Sequence, residues 1–452
     1  MRIAVIGAGI VGVTTAYELA HDGHEVTVYE RRGSVAAEGS FANAGVLAPG
    51  YVTPWAAPGM PSKLLGHWLS RHAPLRWGGR LGPGGGAWLW HWWRSCKADT
   101  YRRNRMRMHR LAVAGRSRRH ALSQALGLDH ESCAGYLVLL RRPRDLAQVQ
   151  PGLKVLGELG VKFEVLDGAG CRAVEPGLNE QMPLHAGVHV ADDEVANCRQ
   201  FAHLMRQEAQ KLGARFLFHT EVRSIEPGRR PTLHFHHQAP RDPLREAMAT
   251  RGQAESLRRD EPATDPLPSG PGSEAHDGVV ICAALDSREL LGVLGLRLPL
   301  MAVHGYSITA PMRLDEAHPE RGLRSGVMDE RYKVSISRFG TRLRVAGSAE
   351  IGGSLAIHNA AAIKTLHQVL HDWFPGVAQM GQAQVWKGAR PMLPDGPPVI
   401  GASGLPGVWL NLGHGSSGWA LANGSARLVA DLVGGVSPSV DPEGLGVERL
   451  QH

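Results

Sequence analysis

A short apolar strand over residues 2–6 runs straight into Gly7-Ala8-Gly9-Ile10-Val11-Gly12. A helical stretch to about residue 21 follows, then a second strand over 25–29 that ends on Glu30. No other feature constrains the chain as much, because strand, glycines, helix and terminal acid together form a dinucleotide-binding βαβ unit. Gly7 allows the tight turn out of the strand, Gly9 lets backbone approach a pyrophosphate, and Gly12 lets the helix pack closely on the strand. The first helical N–H groups, from Ile10 and Val11 onward, and the positive helix end then point at that pyrophosphate. Glu30 stands where a carboxylate accepts from ribose hydroxyls, which disfavours a 2'-phosphate and hence NADP. FAD and NAD both satisfy this half of the argument.

A chain of 452 residues exceeds one ordinary core, so two domains are expected. Its 56 Gly and 29 Pro suit a loop-rich α/β enzyme. The formal charge is +8 and much of it is arginine: Arg102, Arg103, Arg105, Arg107, Arg110, Arg116, Arg118 and Arg119 crowd a segment that also reads as a helix. A solvated helix face is the first reading of that run and an anionic membrane surface the second. Nucleic acid is set aside because no nucleic-acid-binding motif accompanies the charge. Five scattered cysteines without a CxxC read as reduced thiols of a cytoplasmic protein. The strand beginning at residue 2 leaves no room ahead of it for a targeting peptide, and no apolar run reaches bilayer-spanning length. The expectation is a cytoplasmic protein, with peripheral contact at the inner face of the cell membrane as the second reading.

Along the chain, a loop over 33–50 holds Ser40-Phe41-Ala42-Asn43-Ala44-Gly45, small residues that let backbone approach a flat ligand. Trp55, Trp68, Trp77, Trp88, Trp90, Trp92 and Trp93 follow, read as core or domain interface ahead of an interfacial membrane patch. Helices are expected over 97–126, 144–159, 197–212, 354–372 and 420–432, and strands over 135–140, 215–219, 222–225 and 278–284. Residues 227–277 lose apolar periodicity and read as a poorly ordered surface insertion. Alternation between 304 and 350 indicates antiparallel strands. A nucleotide domain is thus expected from 1–50, 195–298 and 386–437, and an antiparallel substrate domain from 51–194 and 299–385, with 438–452 as a tail.

The last block carries Gly388-Ala389-Arg390-Pro391 through Gly401, then Gly413-His414-Gly415-Ser416-Ser417-Gly418-Trp419 opening a helix. Such a turn offers N–H groups and a positive helix end to the negative charge of a reduced flavin ring, whereas nicotinamide needs no second cradle there. This favours FAD. The closing block has no Cys and the 40–45 loop no His, so non-covalent attachment is expected. HExxH spacings and a GxSxG elbow are absent, which argues against a catalytic metal and a nucleophilic triad.

With Gly50-Tyr51, Pro54 to Gly59, Gly305-Tyr306-Ser307, Asp329-Glu330, Tyr332-Lys333, Val345 to Gly347 and Glu350, these segments resemble the D-amino acid dehydrogenase small-subunit family within the D-amino acid oxidase superfamily. The resemblance covers nearly the whole chain. It implies an α/β fold with a Rossmann-type FAD-binding domain and an antiparallel-sheet α+β substrate domain. It also extends the cofactor contacts to Arg31, Ser40, Asn43, Ala44, Gly45, Val222, Ala283 and Gly388, beside Gly413 to Gly418. The implied reaction is oxidation of a D-amino acid to the imino acid, which water converts to a 2-oxo acid and ammonia, with a quinone-type acceptor taking the electrons. Arg390 is then the carboxylate clamp, a structural pair with Asp395 being its alternative. Tyr306, Tyr51 and His304 are candidate substrate contacts, each with core packing as its alternative. Three departures stand out: His304 where the family usually has Lys, Ala284 where it usually has Gly, and the long 227–277 segment. Competing functions are a hydroxyproline or other secondary-amine dehydrogenase or oxidase, a flavin electron-transfer subunit needing a partner, and an NAD enzyme.

Overall fold

The computed structural model describes residues 1–62, 74–79, 81–82, 84–238, 269–313 and 322–450. One layer is a six-stranded sheet, β18-β19-β12-β1-β2-β8. Its strands are β1 (Arg2–Ile6), β2 (Glu25–Tyr29), β8 (Arg215–Leu217), β12 (Gly278–Ile281), β18 (Val399–Ala402) and β19 (Val408–Leu412). Only β18 and β19 pair antiparallel. Helices cover this sheet, which is why β1 and β12 are almost continuously apolar. Helices α1 (Ile10–His21), α6 (Cys198–Lys211) and α9 (Gly418–Gly434) share one core through Val13, Ala16, Phe201, Leu421 and Val429.

A second sheet has ten strands, with the path β17-β13-β16-β15-β14-β5-β7-β3 and with β4 on β16 and β6 on β7. These are β3 (Val46–Leu47), β4 (Leu75–Trp77), β5 (Cys133–Leu140), β6 (Glu164–Asp167), β7 (Ala186–Val195), β13 (Met301–Pro311), β14 (Gly326–Asp329), β15 (Val334–Phe339), β16 (Arg342–Ile351) and β17 (Gln384–Met392). Side chains alternate across it. Tyr306, Ile308, Ile336 and Val345 face helix α8 (Ala360–Trp373), which buries Leu366, Val369 and Trp373 against them. From the opposite face Ser307 Oγ, Ser337 Oγ and Arg344 donate to the carbonyls of Ala42, Ala44 and Asn43, fastening the loop that follows β2. Strand β17 lies wholly in this sheet, so the chain returns to the nucleotide layer at β18, beyond the boundary expected at 386. The other helices are α2 (Gly85–Ser95), α3 (Ala98–Leu126), α4 (Pro143–Glu158), α5 (Gly168–Val174) and α7 (Ser287–Val293).

Several expectations need correction. Both ends of the 227–277 segment are ordered: β10 (Thr232–His237) pairs with β11 (Gly270–Ala275) and with β9 (Thr220–Glu226) in a three-stranded sheet. Leu233 is fully buried, Phe235 packs on Tyr29, and Glu274 bonds Tyr29 and Arg2. Composition averaged over the segment hides that short apolar alternation; residues 239–268 lie outside the described residues. The helix expected over 354–372 starts at Ala360, because Asn359 caps it through the N–H groups of Ala361 and Ala362. The buried strand expected over 278–284 ends at Ile281, and Ala284 takes a left-handed φ of +49°.

The arginine-rich helix α3 is no simple solvated face. Arg118 forks onto the buried carboxylate of Glu18 at 2.7 and 2.8 Å, and Arg427 of α9 reaches the same group at 2.8 Å. Arg119 is buried on Glu194, while Arg107 and Arg110 reach Glu443 and Asp441. Much of the cationic run therefore ties α3 to α1, α9, β7 and the C-terminal segment. Trp88 and Trp92 are buried as core residues, whereas Trp77, Trp90 and Trp93 are about half exposed. Trp68 lies outside the described residues. Among the described residues, no helix is long and apolar enough to cross a membrane.

Candidate functional site

The turn after β1 has the geometry a dinucleotide needs. Gly7 has φ +98°, and a Cβ on Gly12 would stand 1.9 Å from the Gly7 carbonyl oxygen, so both glycines are required by the chain itself. Gly9 differs: its φ is −67°, and a Cβ there would meet only Ser40 Oγ within 4 Å. The space its missing side chain leaves is free for a ligand. Helix α1 has no side-chain cap and no acid in its first turn, and Ile10 N–H donates to Ser40 Oγ at 3.1 Å. Val11 continues that first turn.

Glu30 accepts from Ala8 N–H and Arg32 N–H, both at 2.7 Å. Each of its oxygens keeps a lone pair for a ribose hydroxyl. Arg31 is held by Glu38 and Asp286. Asn43 Oδ1 accepts from Gly45 N–H, and Gly45 (φ +74°) passes so close to Phe339 that a Cβ would lie 2.2 Å from its ring. Val222 is buried in β9, and Ala283 follows β12 beside Gly7.

The second cradle runs from β19 through Gly413 and Gly415, both at positive φ, into a 3-10 turn over Gly415–Ser417 and then α9. Helix α9 also lacks a side-chain cap and an acid in its first turn. His414 turns inward, its Nε2 bonded to Ser425 Oγ at 2.9 Å, and burial draws it down to about 3, so the ring is neutral. Within the turn the Ser417 N–H donates to the His414 carbonyl at 3.1 Å, so His414 closes the turn through its backbone while its ring is held on Ser425.

Arg390 lies across Gly305: a Cβ on that glycine would be 2.3 Å from Nη2. Its Nη1 donates to the His304 carbonyl and its Nη2 to the Ser348 carbonyl, each at 3.1 Å. Burial draws the guanidinium down to about 10, leaving it cationic at neutral pH. No described carboxylate pairs with it, and Asp395, the alternative partner, is bound to Arg449 at 2.8 Å. Gly388, paired with Gly305, leaves room for the Trp386 ring.

The other candidates do not converge on Arg390. Tyr306 donates to Glu350 at 2.7 Å and accepts from Asn359 N–H at 3.0 Å, in the layer that α8 covers. Lys387 joins the same Glu350 at 2.8 Å and bonds the carbonyls of Ser354 and Ile357. His304 bonds the Gly352 carbonyl, and burial beside Lys387 lowers its pKa. These three side chains strap the 352–359 loop from the face opposite Arg390. Tyr51 packs edge-on against Tyr136 of β5, five strands from β17 along the sheet order. Trp55, absent from the sequence-based set, stands instead beside Arg390: its ring centre is 6.0 Å from the guanidinium and its Nε1 donates to Ser416 Oγ at 3.2 Å. The sequence signal that separates it from the tryptophans at 68–93 is its place in the Pro54 to Gly59 stretch of the family resemblance.

A βαβ cradle and a second glycine turn, set against an antiparallel sheet that carries Arg390 without a described carboxylate partner, define an oxidoreductase built around a dinucleotide cofactor. Residues 2–432 match the family model of FAD dependent oxidoreductases (DAO), and the chain belongs to that family, with FAD as its cofactor. It is similar to proteins named D-amino acid dehydrogenase from Rhizorhabdus wittichii (38% identical over 451 residues, 99% of this chain and 100% of the relative) and Cereibacter sphaeroides (40%, 99% and 95%). Its fold matches glycine oxidase from Geobacillus kaustophilus (TM-score 0.70, 18% identity, 100% of this chain and 99% of the other). It also matches L-proline dehydrogenase from P. horikoshii (TM-score 0.67, 16%, 98% and 96%).

Proposed function

We propose that the protein oxidises a D-amino acid to the imino acid, which water converts to a 2-oxo acid and ammonia. Arg390 carries the reading: a half-buried cation without a described carboxylate partner beside the turn that opens α9 is a ready fork for a substrate carboxylate. Its two bonds to backbone carbonyls hold the guanidinium plane before substrate arrives, which lowers the ordering cost of binding. Bound FAD supplies the two-electron oxidant that accepts the Cα hydrogen as hydride at N5. The chain then needs to position the Cα and exclude water rather than supply a strong base, provided the amine enters neutral. Names of the full-length relatives support the D-amino acid as substrate class.

The electron acceptor in this reading is a quinone, reached at the cytoplasmic face of a membrane. Half-exposed Trp77, Trp90 and Trp93, with Arg94 and Lys97 nearby in sequence, supply the aromatic and cationic surface that an anionic interface attracts. Turnover of D-alanine with a soluble quinone should release pyruvate and ammonia in equal amounts. Stopped-flow reoxidation of the reduced enzyme should be faster with quinone than with oxygen; faster reoxidation by oxygen would make it an oxidase. Salt-sensitive sedimentation with anionic liposomes tests the surface, and its absence would remove the membrane contact alone.

A further inference from the structure

We infer that Ser348 is a substrate-binding residue whose hydroxyl donates to the carboxylate held by Arg390. Four observations meet at this position. Ser348 has φ +57°, a left-handed conformation that a β-substituted residue adopts only at a cost in strain. It lies in a register shift of β16, where Tyr306 pairs with Gly347 and His304 with Glu350, leaving Ser348 and Ala349 opposite Gly305. Such bulges re-aim a side chain out of the regular alternation. Its Oγ is buried and has no hydrogen-bond partner among the described residues, an unfavourable state for a polar group shut away from water.

The fourth observation is proximity: the carbonyl of Ser348 itself accepts from Arg390 Nη2 at 3.1 Å. The hydroxyl therefore belongs to the residue that anchors the clamp. Glycine would remove the strain at this φ, and alanine would remove the orphaned hydroxyl. A serine that stands here against both arguments is explained if a ligand completes its bonding. Every group Arg390 offers is a donor, so the ligand beside it is an anion, and a carboxylate there takes the Ser348 O–H as a further donor. This inference rests on the proposed reading that the substrate bears a carboxylate on Arg390.

The test compares Ser348→Gly and Ser348→Ala with the FAD-loaded wild type. Calorimetric titration with propanoate and with neutral propanamide reads the site without turnover. Loss of one hydrogen bond to a charged group should weaken propanoate about tenfold or more in both variants and leave propanamide unchanged. For the D-amino acid, KM should rise with little change in kcat, while Ser348→Gly melts at or above the wild-type temperature. Wild-type propanoate affinity in Ser348→Gly would overturn the inference and return Ser348 to a structural role. Arg390→Ala separates the two levels: if it too leaves propanoate affinity unchanged, the carboxylate-clamp reading fails; if it alone loses affinity, only the Ser348 inference fails.

Discussion

Gly305→Ala isolates the clamp geometry with a single methyl group. The added Cβ would lie 2.3 Å from Arg390 Nη2 and 2.6 Å from Cζ, against an ordinary contact of 3.4 Å or more. The guanidinium must move by about 1 Å, which breaks or stretches its bonds to the His304 and Ser348 carbonyls. A misplacement of about 1 Å at a positioning group costs on the order of a hundredfold in rate. The variant should therefore keep its FAD and its melting temperature to within a few degrees while kcat/KM for the D-amino acid falls about a hundredfold. Steady-state kinetics with a soluble quinone, alongside the flavin spectrum, reads both quantities. Wild-type kcat/KM in a flavin-replete Gly305→Ala protein would refute the argument that Arg390 works from this position.

Asp193 is buried with neither carboxylate oxygen bonded, and burial pushes it up to about 7. The folded protein then holds this proton more tightly than the unfolded chain, so the group's contribution to stability falls as pH rises from about 4 to 7 and is level above. Asp193→Asn should gain on the wild type across that window by about 4 kcal/mol at most, read by denaturant unfolding at several pH values; a pH-independent difference would contradict the assignment. Trp55→Ala should raise kcat/KM for bulky D-amino acids relative to D-alanine, because the indole walls the space between Arg390 and Ser416; an unchanged profile would place the ring outside the substrate space. His237 and Gly270 are paired across β10 and β11, so replacing 239–268 by a two-residue turn should leave FAD content intact; flavin loss would show that the segment supports the site.

The nucleotide half was legible because its signals are local. Gly7, Gly12 and Glu30 act within thirty residues of one another, and their spacing alone specifies the turn, the helix contact and the carboxylate. Arg390 was reached through a family resemblance, and Asp395 could be ruled out as its partner only once Arg449 was seen on it. Tyr306 and His304 look like neighbours of Arg390 in sequence pattern, yet the pleat turns them to the α8 face; that follows from the register of β13 on β17, which the sequence does not state. Ser348 was illegible for a related reason, since its place beside Arg390 depends on a bulge in β16. The ordered β10 and β11 were lost because six-residue strands beside a long polar stretch vanish in an averaged composition.

Anaerobic mixing of the FAD-loaded protein with matched D and L enantiomers of alanine, proline and other amino acids tests the central claim most directly. The account predicts bleaching of the flavin by D enantiomers and none by their L partners at equal concentration. Bleaching by L enantiomers, or by neither, would contradict it.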